Sequence, residues 1–335
     1  VLPTGLDHCT VTVVSQGRVF EVTTLRRDVE TFGRHARVTF TDDWAADAAR
    51  RDFTFNAMFL DADGTLYDAH GGAEDLAAGR VRFVGEAVRR IKEDVLRLLR
   101  FFRFLAWYGK GEADAEALDA CATAAGSLET LSGERVQTEL LKLLAADDPL
   151  PTLTLMADRG IFRYLLPHTR KDWPRRLAAL IAIERTHGSD PVRRLAALVA
   201  SKPEALAERL RLSRTDADHF CELITADTRP HAGMEAVAVR RMLYRLGKRR
   251  FRELALLGAA DAGGEAPFSA MLSQAESWDL PSLPISGRDA LALGVQPGPD
   301  VGAFLRTVET WWIEGDFTAG REAALAKLKS LVGGD

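Results

Sequence analysis

The chain has 335 residues, 47% of them hydrophobic and 27% charged, with a formal net charge of -4; that is more than one average core organises, so roughly two to four domains or subdomains are expected. No apolar run approaches the roughly 18 residues of a membrane span and no signal peptide opens the chain, so it reads as a cytoplasmic protein without membrane helices. Cys9, Cys121 and Cys221 lie far apart, which excludes a zinc knuckle or a disulfide framework and leaves reduced thiols.

An acidic total argues against nucleic acid only if the charge is evenly spread, and it is not. Residues 80–110 hold nine Lys or Arg against three acids, and residues 240–252 hold seven against none. Basic stripes on an acidic chain suit a local polyanion contact, with solvated helix faces as the plain alternative.

In chain order, residues 10–25 form two β-rich runs joined at Gln16-Gly17, a hairpin pattern. Period-2 geometry puts Val19, Glu21, Thr23 and Leu25 on one face, so Glu21 projects from mid-strand, either as an exposed edge residue or as a metal ligand or orienting group. From 26 to 49 the periodicity dissolves, and a mobile loop is expected. Arg50-Arg51-Asp52-Phe53-Thr54-Phe55-Asn56-Ala57 then sets charged and amide groups among apolar ones. Paired guanidinium groups beside a strand are matched to phosphate oxygens, although an Arg-Asp pair capping a helix or strand accounts for them equally. Residues 58–68 read as a second hairpin around a type I′ Asp63-Gly64 turn, and turn chemistry explains Asp61 and Asp63 better than metal binding.

After a linking stretch, residues 88–107 carry a helical apolar stripe of Val88, Ile91, Val95, Leu98, Leu99, Phe102 and Leu105. One continuous helix places Glu93, Arg97 and Arg100 on the opposite face with Asp94 at the shoulder, and spacing alone makes these a solvated ion-pair set. Ser132 is placed to cap a helix carrying Val136, Leu140, Leu143 and Leu144. Beyond it the chain is almost entirely helical, broken at Pro167, Pro191, Pro203, Pro230 and the stretch 281–299.

Taken in this order the pieces resemble the class II nucleotidyltransferases that add CCA to the 3′ end of tRNA, together with their poly(A) polymerase relatives. Residues 4–11 and 21–26 resemble two head strands of that family, 50–57 its motif B, 68–85 its Gly-Gly and Val-Arg-x-Val-Gly connection, Glu93-Asp94-x-x-Arg97 with Arg100 its motif D, and 132–144 its motif E. The likeness is strong over residues 1–145 and looser beyond, through Pro284-x-Ser286-Gly287-Arg288-Asp289 and Pro297-Gly298-Pro299. It implies an α+β chain: a small mixed-sheet head (1–85, partial), a helical neck that selects the nucleotide (86–147), a helical body (148–260) and a tRNA-binding tail (261–335).

The resemblance also implies site roles. Arg51 would grip the triphosphate of CTP or ATP, Asp52 and Asn56 would orient it, and Glu21 would assist the carboxylates that hold Mg²⁺. Asp94, acceptor only, and Arg97, donor only, would read the shared edge of cytosine and adenine, with Arg100 and Arg103 toward phosphate and ribose. Arg240, Arg241, Arg245, Lys248, Arg249 and Arg250 would meet tRNA phosphates. No protein partner is evident. Cys9 stands where the family usually has glycine. The family's Gly-Gly-x-x-Arg-Asp turn and its metal-binding Asp-x-Asp pair have no counterpart here, Asp42-Asp43, Asp61 and Asp63 being unsuitable substitutes. The chain therefore reads as an incomplete form, expected to bind tRNA without catalysing addition. Poly(A) polymerase activity and a catalytically incomplete tRNA-binding fragment are the alternatives; the intact 26–49 loop favours CCA or terminal A addition.

Overall fold

The computed structural model describes residues 10–32 and 35–333; the predicted strand over 4–11 and Cys9 lie almost wholly outside them. Three hairpins open the described chain: β1 (Thr10–Ser15) with β2 (Arg18–Thr23), β3 (Arg26–Phe32) with β4 (His35–Phe40), and β5 (Met58–Leu60) with β6 (Leu66–Asp68). The helices are α1 (Trp44–Ala49), α2 (Gly72–Ala78), α3 (Ala87–Glu93), α4 (Leu96–Tyr108), α5 (Ala115–Ala124), α6 (Gly133–Leu144), α7 (Leu150–Asp158), α8 (Phe162–Leu165), α9 (Trp173–His187), α10 (Pro191–Leu198), α11 (Pro203–Arg209) and α12 (Arg214–Thr225). They continue with α13 (Ala236–Leu246), α14 (Lys248–Ala262), α15 (Ser269–Ser277), α16 (Gly287–Ala292), α17 (Pro299–Glu314) and α18 (Arg321–Gly333). The α+β expectation holds, with the sheet part built from antiparallel pairs among the described residues rather than one mixed sheet. Two compact units result: Val1–Pro174 with Ser189–Ile224, and Arg175–Gly188 with Thr225–Asp335.

In the first unit the β1–β2 turn places Gln16 at φ +49° and Gly17 at φ +75°, the paired left-handed residues whose twist matches the flanking strands. Residues 26–49 are not the expected loop. They form β3, β4 and α1, the two strands pairing antiparallel with one irregularity at Asp28/Glu30. Asp43 caps α1 by accepting from the Ala45 and Ala46 amides at 2.9 and 3.2 Å. The third hairpin is present but closes differently from the type I′ expectation: the Gly64 amide donates to the Asp61 carbonyl at 3.0 Å, with Gly64 at φ +90° and Asp63 not in the left-handed region. Asp61 and Asp63 accept from the Ala62 and Thr65 amides, the turn roles read from the sequence.

Residues 52–54 lie antiparallel to 82–84: the Thr54 amide donates to the Arg82 carbonyl and the Val84 amide to the Asp52 carbonyl, both at 3.0 Å. This places Phe53, 0% exposed, in an aromatic core with Phe83 at 4.7 Å and Phe104 at 5.2 Å between ring centroids. Burying such a ring contributes about 1.5–3 kcal/mol, with about 0.5–1.5 kcal/mol more for each well-oriented aromatic pair. A second clamp fixes the same segment. Asp75, buried on α2, accepts from Thr54 Oγ1 at 2.7 Å, Arg80 Nε at 2.9 Å and Arg82 Nε at 2.8 Å. The first residue of α2 has to be glycine, since a Cβ at Gly72 would meet the Thr54 carbonyl oxygen at 2.2 Å.

The predicted continuous helix over 88–107 is two helices. Asp94 breaks it with an extended backbone (φ -152°, ψ 109°), and its Oδ1 accepts from the Leu96 amide at 3.1 Å, so one carboxylate opens α4 two residues after α3 ends. The break changes the phase of the stripe: Ile91, Leu98, Leu99 and Phe102 are buried as expected, but Val88 is 61% exposed. Residues 72–78, read as linking sequence, are also helical, and 115–124 form a further helix. Ser132 precedes α6 without a side-chain capping bond.

In the second unit α13, α14 and α15 pack together, and α16–α18 enclose Ile285, Ala290, Val308, Ala324 and Leu328. Helix α16 falls within the stretch 281–299 that proline content marks as a break; Ser286 and Asp289 cap it reciprocally.

Burial pushes the Asp75 carboxyl up, but hydrogen bonds from Thr54, Arg80 and Arg82 more than offset that and hold it below the usual carboxylate range. A depressed folded value contributes stability that is present above the unfolded value near 4 and is lost as pH falls through the folded one. Thermal midpoints should therefore drop below about pH 4, and Asp75→Asn should be less stable at neutral pH with a flatter dependence below it. An Asp75→Asn variant with the wild-type acid slope would remove Asp75 as the cause.

Candidate active site

The 52–54 pairing and the start of α4 together open a cleft of about 500 Å³ lined by Arg50, Arg51, Asp52, Asn56, Asp94, Leu96, Arg97, Arg100, Phe104 and Arg135. Five arginines face two carboxylates there, a field suited to a multiply charged anion. Every one of the five is held by an acceptor.

Arg50 and Arg51 follow the last turn of α1, and both lean on Asp47 from that helix. Arg50 donates to Oδ1 from Nε at 2.8 Å and from Nη2 at 2.5 Å, while Arg51 donates to Oδ2 from Nε at 3.1 Å and pairs through Nη2 at 3.0 Å. Arg51 also donates to the Asn56 carbonyl at 3.0 Å and lies over the Phe59 ring at 4.5 Å. Asp52 takes the Asn56 side-chain amide at 3.0 Å on Oδ1 and a bidentate Arg100 contact on Oδ2, with Nε at 2.6 Å and Nη2 at 2.5 Å. Predicted Arg51, Asp52, Asn56 and Arg100 thus meet in one place.

Arg97 donates to Glu93 Oε2 at 2.7 Å, to the Arg90 carbonyl at 3.1 Å and to the Arg50 carbonyl at 3.3 Å. Burial raises the Glu93 carboxyl, and Arg97 with Arg90 more than reverses this, so the group sits below its usual range. Asp94 keeps Oδ1 on the Leu96 amide and takes Arg135 Nη2 on Oδ2 at 2.7 Å. The solvated ion pair expected from spacing alone is instead a half-buried network at the cleft wall.

Other expected site residues lie elsewhere. Arg103 is not part of the cleft lining: it donates to the buried Glu139 at 2.5 Å and covers the Phe104 ring at 3.9 Å. Glu21 is exposed in the middle of β2, opposite Thr12. Among the described residues no group of three or more His, Cys, Asp or Glu side chains could hold a metal ion, so these residues do not by themselves fit a metal centre.

The basic stripe is not one face. Arg240 holds Asp316 bidentately, with Nε at 2.9 Å, and Arg241 donates to the Ile313 and Glu314 carbonyls at 3.1 and 2.5 Å, so both tie α13 to the end of α17. Gly247, at φ +78°, ends α13; beyond it Lys248 donates to the Glu276 carbonyl at 3.1 Å. Arg250 is half-buried, and Arg245 and Arg249 are exposed.

Sequence reasoning missed the supporting residues. Asp47, 1% exposed, stands three and four positions before Arg50 and Arg51, a helical spacing that goes unread once 26–49 is taken as a loop. Glu139 falls on the apolar face of α6 between Val136 and Leu140, and a carboxylate at a core position was a readable signal of a buried partner. Arg135 stood one residue before that stripe with no feature to mark it.

Comparison with known proteins agrees with this geometry. Residues 1–82 match the family described as "Poly A polymerase head domain", and residues 113–172 match "Probable RNA and SrmB- binding site of polymerase A". A zebrafish (Danio rerio) protein named "CCA tRNA nucleotidyltransferase 1, mitochondrial" is 34% identical over 343 residues, covering 97% of this chain and 76% of its own length. The human protein of that name is 32% identical with the same coverage, and a CCA-adding enzyme of Levilactobacillus brevis is 29% identical over 96% of this chain and 82% of its own. The crystal structure of the Bacillus stearothermophilus CCA-adding enzyme in complex with CTP superposes with a TM-score of 0.79 at 27% identity, over 98% of this chain and 83% of that one. With identity above 30% sustained over nearly its whole length, and with the arginine-lined cleft in the head and neck segments that match, the chain belongs to the CCA tRNA nucleotidyltransferase family, the CCA-adding enzymes.

Proposed function

We propose that this chain adds C and A nucleotides to the 3′ end of tRNA from CTP and ATP, releasing pyrophosphate, and that the arginine-lined cleft holds the incoming nucleotide. The observation that carries the reading is that Asp94 and Arg97 line the same cleft as Arg50, Arg51 and Arg100. A triphosphate against Arg50 and Arg51 leaves its base within the cleft that the acceptor and donor pair borders. Each Asp94 oxygen has a second lone pair beyond its present bond, and Arg97 retains N–H groups beyond its three acceptors, so both have capacity for a base edge. Cytosine and adenine offer an exocyclic amine beside a ring nitrogen; uracil and guanine present a carbonyl where the amine would be. Acceptor against acceptor costs about 1–3 kcal/mol for each unsatisfied group, enough for one to two decades of discrimination.

Transfer depends mainly on positioning and on stabilising developing charge, which fixed guanidinium groups supply. Mg²⁺ is the ion we propose for the reaction, where bound divalent cations would supply charge stabilisation for the hydroxyl and the pyrophosphate. Glu21 is the one ligand candidate proposed among the described residues, where no group of three or more His, Cys, Asp or Glu side chains could hold a metal ion. No helix of the described residues is long and apolar enough to cross a membrane. The animal relatives carry the word mitochondrial in their names, and a cytoplasmic setting for this chain is our proposal. Polyadenylation would use the same cleft, but the relatives that span the chain carry the CCA name. Incubating tRNA trimmed of its last three nucleotides with CTP, ATP and the protein joined to a segment that supplies paired metal-binding carboxylates should restore the CCA end, with residues 1–335 alone as the comparison. Long A tails would favour the polyadenylation reading, and tRNA binding without addition the incomplete-fragment one.

Asp94→Ala and Arg97→Ala should each relax base choice by about one decade or more while inorganic tripolyphosphate binds almost as before. Calorimetry with CTP, ATP, UTP and GTP reads this directly, and unchanged discrimination in both variants would contradict the assignment.

For tRNA, we propose that the basic contact of the second unit centres on Arg245 and Arg249, since Arg240 and Arg241 are already paired within the unit. Replacing both exposed arginines with alanine should make the logarithmic salt dependence of tRNA binding shallower by about 1–2 units. The wild-type slope in that variant would make the pair a solvated face.

A further inference from the structure

The Asp47 carboxylate is almost wholly buried, and five donors converge on it. Oδ1 accepts from the Arg26 backbone amide at 3.1 Å and from two nitrogens of Arg50, while Oδ2 accepts from two nitrogens of Arg51. A carboxylate offers about four lone-pair sites, so these donors saturate it and leave nothing for a ligand. Asp47 is also not among the residues lining the cleft. It can act on an anion only through the arginines it holds.

Its position accounts for two things at once. Two adjacent guanidinium groups repel each other and, on long side chains, would sample many rotamers; a shared carboxylate behind them offsets the repulsion and fixes both toward the cleft before any anion arrives. The same oxygen that takes Arg50 takes the first amide of β3, so the β3–β4 hairpin is bonded to the support of the anion-gripping pair. Burial pushes the Asp47 carboxyl up, but Arg50, the Arg26 amide and Arg51 outweigh it, so the group stays ionised throughout the neutral range.

We propose that Asp47 is the positioning residue for the triphosphate-gripping arginines Arg50 and Arg51, and that through its shared Oδ1 it links occupancy of the cleft to the β3–β4 hairpin. The proposal rests on Arg51 being a triphosphate ligand. Arg50 Nε also donates to the Arg26 carbonyl at 3.1 Å, so phosphate oxygens that hold Arg50 in place hold the carbonyl of Arg26 as Asp47 holds its amide, and the hairpin tightens at its first residue. An Asp47→Asn change keeps the shape but turns an amide N–H toward one guanidinium and removes the charge between the two.

The test uses the chain as described, with inorganic tripolyphosphate as the probe in calorimetry. Arg51→Ala should weaken tripolyphosphate binding, and Asp47→Asn should weaken it by roughly 10- to 100-fold, the scale of losing a charge-assisted hydrogen bond. In Asp47→Asn the ratio of CTP to UTP affinity should stay at the wild-type value, because the base edge is read elsewhere. If Arg51→Ala leaves tripolyphosphate binding intact, the triphosphate reading itself fails. If Arg51→Ala weakens it and Asp47→Asn does not, or if Asp47→Asn abolishes base discrimination as well, the positioning role is overturned while the reading of Arg51 stands. Hydrogen exchange on the wild-type protein keeps the proposal testable should Asp47→Asn fail to fold: saturating tripolyphosphate should slow exchange of the Arg26 amide, and an unchanged rate would overturn the link.

Discussion

Guanidinium groups crowd the cleft, and the surrounding structure is arranged to make that crowding tolerable. Five arginines around about 500 Å³ would repel one another and sample many rotamers. Carboxylates and carbonyls from neighbouring elements prevent both: Asp47 from α1 behind Arg50 and Arg51, Asp52 against Arg100, Glu93 from the last turn of α3 against Arg97, and Asp94 against Arg135 of α6. Such pairs are weak sources of stability, since the desolvation of each partner offsets most of their attraction. Their effect is geometric. They present fixed positive groups at the start, so little reorganisation accompanies the binding of a charged ligand.

The fold supplies these partners through a few close contacts. Pairing of 52–54 with 82–84 buries Phe53 on one side and turns Asp52 toward the cleft on the other, the alternation any extended segment imposes. Gly72 and Asp75 then fasten α2 to Thr54, which keeps Asn56 within reach of Asp52 and Arg51. On the far wall, α6 packs against α4 and contributes Arg135 to Asp94 and Glu139 to Arg103. The head and the first neck helices are therefore coupled by charge as well as by apolar packing.

How much of this could be read in the sequence depended on whether the signal was local. The β1–β2 hairpin was legible because β-branched runs flank Gln16-Gly17, and most of the helical half because its apolar positions recur at helical spacing. The β3–β4 hairpin was not, since its β-branched residues alternate with charges that mimic a loop. The break at Asp94 was hidden because Val95 and Leu98 stand at helical spacing from Ile91 in the sequence; what interrupts the helix is the extended Asp94 backbone, with its carboxylate on the Leu96 amide, and an Asp just before a new apolar run was the one local clue. Arg51, Asp52, Asn56, Asp94, Arg97 and Arg100 were named as a group through the family resemblance, and the structure does bring those six together. Asp47, Arg135 and Glu139 were not named, because supporting residues are defined by what they touch across 21 to 41 positions of chain or by a helix that had not been read. Composition overstated the basic stripe at 240–250 for the same reason: sequence counts charges, whereas Arg240 and Arg241 have acceptors on α17 and the residues just after it.

The central claim is that the carboxylate-supported cleft is where CTP and ATP bind, phosphates toward α1 and base toward the α3–α4 break. A crystal structure of this chain with CTP tests it most directly. The account predicts the triphosphate against Arg50 and Arg51, with the cytosine amine facing Asp94 and its ring nitrogen facing Arg97. A triphosphate bound away from Arg51, or a base whose edge meets neither Asp94 nor Arg97, would contradict it.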